Sequence, residues 1–169
     1  MTTRPLTMNS NYLAAVRGLR EFHHLTAAGR LDSPEADAVR DATDAPWEAL
    51  TDEEKERISG LSEDLYSITD RSRTVTKPLN PQAQSRLIDL YQAHQTGDWT
   101  QVLVLSRRWG AYLEPSLLSF FRGTAWYFAG DLATALIFYR YASGLQPNNE
   151  TYSSAYLAVL EEVATLETR

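Results

Sequence analysis

Residues 116–149, SLLSFFRGTAWYFAGDLATALIFYRYASGLQPNN, decide how the chain folds. Gly130-Asp131 splits the stretch into two apolar segments. Neither alternates as a half-buried strand would, and both carry apolar residues at three- and four-residue steps, so each reads as a helix. The spacing predicts one helix over Ser116–Ala129 and another over Leu132–Gly144, closed by the turn Gln146-Pro147-Asn148-Asn149. Small residues punctuate the two helices, among them Gly123, Ala135 and Ala142. Large ones, Trp126 and Tyr139, stand beside them. Small residues let helix axes approach, and large ones fill the space around the crossing.

The same punctuation occurs earlier. Gly97-Asp98-Trp99 precedes Gly130-Asp131-Leu132 by 33 residues, and Pro115 precedes Pro147 by 32. A period in the low thirties is the mark of stacked helix pairs. Asn80-Pro81 starts a helix that runs to about Thr96, with cap and first-turn proline in order and a stripe of Leu87, Leu90, Tyr91 and His94. Asp98 caps the next helix, which runs to about Tyr112 and stops near Glu114-Pro115. A last helix begins at Glu150, with Tyr152, Tyr156, Val159, Leu160 and Val163 expected on its inner side.

On Gly123, Trp126, Ala135, Tyr139, Ala142 and Pro147, residues 116–149 resemble a tetratricopeptide repeat (TPR). The preceding pair, about Gln84 to Pro115, follows the pattern less closely. Leu90, Gly110 and Pro115 fit, but Tyr91 stands where a small residue is usual, and the turn is a residue shorter. The resemblance covers about half the chain. It implies an all-α fold of antiparallel helix pairs stacked as a short TPR-like α-solenoid, with additional N-terminal helices. In TPR proteins the first helix of each pair lines a groove that takes a partner segment. Carried over, Leu117, Phe120, Thr124 and Tyr127 would face that groove, joined by Ile88, Gln92 and Gln95 from the weaker pair. The Lys and Asn that chaperone-binding TPR domains use to grip a terminal carboxylate are missing, which argues against that partner class.

The first part of the chain reads differently. Residues 1–70 form an N-terminal helical region, 71–80 a linker without periodicity, and 81–169 the helix pairs with a terminal capping helix. One helix starts after Asn9-Ser10 and stops at Gly29, with Tyr12, Val16, Leu19, Phe22 and Leu25 as its stripe. A short second helix starts at Ser33-Pro34 and is expected to end at Asp44-Ala45-Pro46. Thr51-Asp52-Glu53-Glu54 is a capping box that opens a third helix carrying Ile58, Leu61, Leu65 and Ile68, with Trp47 and Leu50 folding onto it. Asp32 to Asp64 holds twelve acids and three bases. That is a solvated face or a surface for a basic partner.

Little in the chain points to chemistry. Cysteine is absent, which removes disulfides, thiolate metal sites and cysteine nucleophiles. His23, His24 and His94 are the only histidines. Adjacent histidines on a helix point about 100° apart, a poor geometry for one site. Glu21-x-x-His24 has the spacing of half a di-iron site, but the second half is missing. No HExxH, P-loop or glycine-rich dinucleotide motif is present. The net charge of −6 argues against a general nucleic-acid binder, although Arg107-Arg108 beside Trp109 could touch phosphate. No run approaches a membrane span, and Met1–Thr7 has no signal-peptide core. The sequence therefore leads to a cytoplasmic, non-catalytic adaptor or scaffold without metal or cofactor, binding another protein or peptide. Two further readings are an acidic regulator docking on a basic surface and a structural protein that self-associates through the open repeat end. Fourteen of the eighteen aromatics follow residue 80, where they serve packing or an interface.

Overall fold

The computed structural model describes residues 9–69 and 76–167. Met1–Thr7 and residues 71–75 of the expected linker lie outside the described residues. Among the described residues every regular element is a helix, and the chain forms two compact units that divide at residue 71.

In the N-terminal unit, α1 (Ser10–Ala27) packs on α2 (Pro34–Glu48) and on α4 (Leu61–Thr69), which follows α3 (Asp52–Ser59). Asn9 caps α1 by accepting the Asn11 N–H at 3.0 Å. Ser33 caps α2 by accepting the Ala36 N–H at 3.2 Å. The capping box at Thr51 and Glu54 is closed in both directions, at 3.2 and 2.9 Å. The core of this unit is Tyr12, Val16, Leu25, Leu50, Ile58, Leu61 and Leu65. Gly18 of α1 lies so near the Thr43 hydroxyl of α2 that a side chain there would collide with it.

Two expected boundaries are corrected here. The second helix does not end at Asp44-Ala45-Pro46 but continues through Pro46 to Glu48. Proline forfeits one hydrogen bond, yet its φ is helical, so the last turn still closes through Ala49 N–H to Ala45 O at 3.2 Å. The single third helix is two, broken at Gly60. Gly60 closes α3 by donating its N–H to Ile58 O, and Ile58 and Leu61 on either side of the break are both buried in the core.

In the C-terminal unit, α5 (Pro81–Thr96), α6 (Trp99–Trp109), α7 (Pro115–Ala129), α8 (Leu132–Leu145) and α9 (Glu150–Glu167) each pack on the next in chain order. A 3-10 turn, Gly110–Tyr112, follows α6. The two Gly-Asp pairs explain the sharp reversals. Gly97 and Gly130 adopt φ of 77° and 92°, a left-handed conformation that glycine reaches without a Cβ penalty. Asp98 and Asp131 then donate their N–H back to Ala93 O and Trp126 O at 2.9 and 3.0 Å, which closes the ending helix. Their side chains accept the Gln101 and Thr134 N–H at 3.2 and 3.1 Å, which opens the next. One dipeptide thus terminates a helix, turns the chain and starts another.

Ahead of α5, residues 76–80 are not a free tether. Lys77 donates its N–H to Ala111 O at 2.8 Å, and the Thr76 hydroxyl donates to Leu113 O at 3.4 Å. Both bonds fasten the entry of α5 to the turn after α6.

In the C-terminal unit the tightest helix contact is between α7 and α8. A Cβ built on Gly123 would fall 2.6 Å from Tyr139 Cδ1, whereas one on Gly144 meets nothing within 4 Å. Gly123→Ala is therefore expected to cost about 1–3 kcal/mol through overpacking. Gly144→Ala should gain about 0.5–1 kcal/mol from reduced backbone entropy. Urea unfolding of the two variants checks this, and equal effects would contradict the close crossing.

Candidate functional site

The seven residues expected to line a groove fall into two groups. Phe120, Thr124 and Tyr127 of α7 are engaged by α8 and α9. The Phe120 ring lies 5.6 Å from Tyr139 and 5.0 Å from Tyr152. The Tyr139 hydroxyl donates to Thr124 Oγ1 at 3.0 Å, and Thr124 donates onward to Phe120 O at 3.0 Å. Burial pushes the Tyr139 phenol up to about 12, so it stays a protonated donor. The Tyr127 hydroxyl donates to Glu162 of α9 at 3.3 Å. Leu117, a turn earlier, is half-buried.

Ile88, Gln92 and Gln95 occupy a second place. They lie at i, i+4 and i+7 on α5, one helix face, and all three are exposed. Ile88 is 61 % exposed, and Tyr91, at i+3 on the same face, is 45 % exposed. The Tyr91 ring meets Phe121 of α7 edge-on at 5.3 Å. The α7 rings that meet α5 and α6 are Phe121 and Phe128, which the sequence reading did not single out. Phe128 stacks on Trp99 of α6 at 4.6 Å. Helix periodicity could have found them, because residues 121 and 128 are seven apart and share a face.

Between Phe121 and Trp99 sits His94, 4.7 Å from the first ring and 5.6 Å from the second. Its Nε2 is buried without a hydrogen-bond partner. Burial holds its pKa below the usual histidine value, so the neutral ring is favoured. In the N-terminal unit, His23 packs edge-on to Tyr66 at 4.3 Å and is likewise shifted down, by burial and then by the neighbouring His24.

A cleft of about 280 Å3 opens between α5 and α6. Val104, Leu105 and Trp109 floor it, while Gln82, Arg86, Gln101 and Arg108 stand around them. The Arg108 guanidinium lies 5.9 Å from the Trp109 ring centre, and Arg86 pairs with Asp89 at 3.1 Å. Deeper in the unit, Arg122 is buried against α6, its Nε donating to Ser106 Oγ at 3.4 Å. The last helix also differs from expectation. Tyr152 and Val159 face inward, but Leu160 is 40 % exposed and Leu157 beside it 59 %.

Among the described residues no group of three or more His, Asp or Glu could hold a metal ion, and no helix is long and apolar enough to cross a membrane. The chain matches no known protein family, no curated protein and no solved structure.

The histidine environments predict a pH dependence with a definite sign. Unfolded histidine titrates near 6.5, and folding lowers that value at His94 and His23. Stability is then full above pH 6.5 and falls as acidification protonates the unfolded chain first. His94→Gln should reduce the acid sensitivity of the C-terminal unit. Thermal unfolding on either side of that pH checks it; an unchanged acid slope in the variant would mean that another group is responsible.

Proposed function

We propose that the chain is a non-catalytic protein-interaction module, an adaptor or scaffold, whose C-terminal unit is a short TPR-like stack of antiparallel helix pairs. The observation that carries this reading is the exposed face of α5. Ile88 and Tyr91 supply apolar area there, and Gln92 and Gln95 supply amides that can pair with a backbone. An extended or helical segment of another protein would bury the first two and take its register from the others. The serial packing of α5 through α9 and the close crossing at Gly123 support the stack. Phe120, Thr124 and Tyr127 would act from behind in this reading, fixing α7 and α9 and so the surface that α5 shares with Phe121.

A second reading has its own support. Asp32, Glu35, Asp37, Asp41, Asp44, Glu48, Asp52, Glu53 and Glu56 are all exposed in the N-terminal unit. Such a surface would suit a regulator that docks on a basic partner.

One capture experiment from native lysate separates the two, provided the bait remains folded. Ile88→Glu/Gln92→Glu, at two exposed positions of α5, should keep the melting temperature and lose the partner, and the wild-type interaction should survive high salt. Phe120→Glu is the wrong probe, because that ring packs on Tyr139 and Tyr152 and its loss would unfold the site. If the α5 variant still captures the partner and salt strips it, the acidic surface is the working one.

A further inference from the structure

The C-terminal unit is chemically lopsided along its packing order. Lys77, Arg86, Arg107 and Arg108, four of the six Lys and Arg between residues 76 and 167, stand in α6, in α5 or just before it. Helix α9 contains Glu150, Glu161, Glu162 and Glu167 and no Lys or Arg. Both ends of the series also leave apolar surface open. At the α5–α6 side it is the cleft floor of Val104, Leu105 and Trp109, with Arg86 and Arg108 around it. At the α9 side it is Leu157 and Leu160, which share a helix face with Glu161 and Ala164 at i, i+3, i+4 and i+7.

These two surfaces complement each other, and each is poorly matched to itself. Pairing α9 with a second α9 would set Glu161 against Glu161 with no base on either helix, an arrangement that costs affinity. Pairing cleft with cleft would oppose guanidinium to guanidinium. Stripe on cleft instead places Leu against Trp and Leu, and a carboxylate near two arginines. The Arg86–Asp89 pair does not block this, since both side chains are about half exposed and such pairs are weak and exchangeable.

We propose that the occupant of the cleft is a second copy of this chain, joined head to tail. Helix α9 of one copy seats Leu157 and Leu160 on Val104, Leu105 and Trp109 of the next, and Glu161 lies toward Arg86 and Arg108. A contact between two different patches of the same molecule is heterologous, so it leaves one cleft and one stripe unused and the assembly can lengthen. The proposal does not depend on the α5 face binding a partner.

Sedimentation of the full chain from micromolar to millimolar concentration tests it. The wild type should grow with concentration, and high salt should weaken the growth. Two variants each block one surface: Arg86→Glu/Arg108→Glu the cleft, and Leu157→Ser/Leu160→Ser the stripe. Each alone should associate about tenfold more weakly or not at all. Mixed, they retain one working cleft and one working stripe, and they should form a dimer that stops growing. That recovery also shows that both variants are folded. A wild type that stays monomeric throughout overturns the proposal, as does growth that neither variant affects. If both variants are monomeric, keep the wild-type helical signal and do not pair when mixed, the head-to-tail arrangement is wrong.

Discussion

At Gly123 the axes of α7 and α8 come close enough that the Tyr139 ring occupies the space a Cβ would need. Much of the C-terminal unit follows from that approach. With the ring pressed on the α7 backbone, its hydroxyl reaches Thr124 one residue on. The ring's other neighbour is Phe120, which in turn supports Tyr152 and so seats the start of α9. On the same helix Trp126 is fully buried, and Phe138 of α8 is buried with it. Packing of this density tolerates little change in volume at the crossing, because neighbouring side chains already sit in contact. A helix pair held so closely presents fixed surfaces on either side, and α6 and α9 are built on them.

The α6 side is fixed differently. There the joint between helix pairs is aromatic and partly polar: Trp99 stacks on Phe128, His94 lies against Phe121, and buried Arg122 donates to Ser106. A buried guanidinium tolerates burial only where acceptors meet it, so α6 and α7 are held in one register. The hydrogen bond from Lys77 to Ala111 ties the entry of α5 into the same joint. Geometry here depends on directional contacts as well as on filled volume.

Much of the architecture was legible in the sequence, and the reasons are specific. Gly97-Asp98, Gly130-Asp131, Asn80-Pro81 and Thr51 through Glu54 are local signals, and local chemistry decides helix ends. The misread boundaries are those at Pro46 and Gly60: Pro46 is accommodated because the final turn of α2 still bonds, and α3 ends at Gly60, whose N–H bonds back to Ile58 O. The candidate surface was only partly legible. Periodicity placed Ile88, Gln92 and Gln95 on one face of α5, and that face is exposed. It could not say that α9 would cover Phe120 and Tyr127, or that Leu160 would face outward, since those outcomes depend on the angle at which a later helix crosses. Gly18 against Thr43 was equally hidden, because nothing in either segment names the other.

The Gly-Asp junctions bear on how such a chain could lengthen or shorten. Each junction satisfies its own backbone groups, using Ala93 and Gln101 in one case and Trp126 and Thr134 in the other. No distant residue is needed to complete the turn. A stretch running from one junction to the next is therefore a transferable cassette. Copied or excised in frame, it would carry its helix stop, reversal and helix start with it. Changes of chain length by whole cassettes would leave every junction intact, while an insertion inside a helix would rotate the faces that it presents to its neighbours. Duplication and loss of genetic segments would thus be filtered toward the same 33-residue step that separates Gly97 from Gly130.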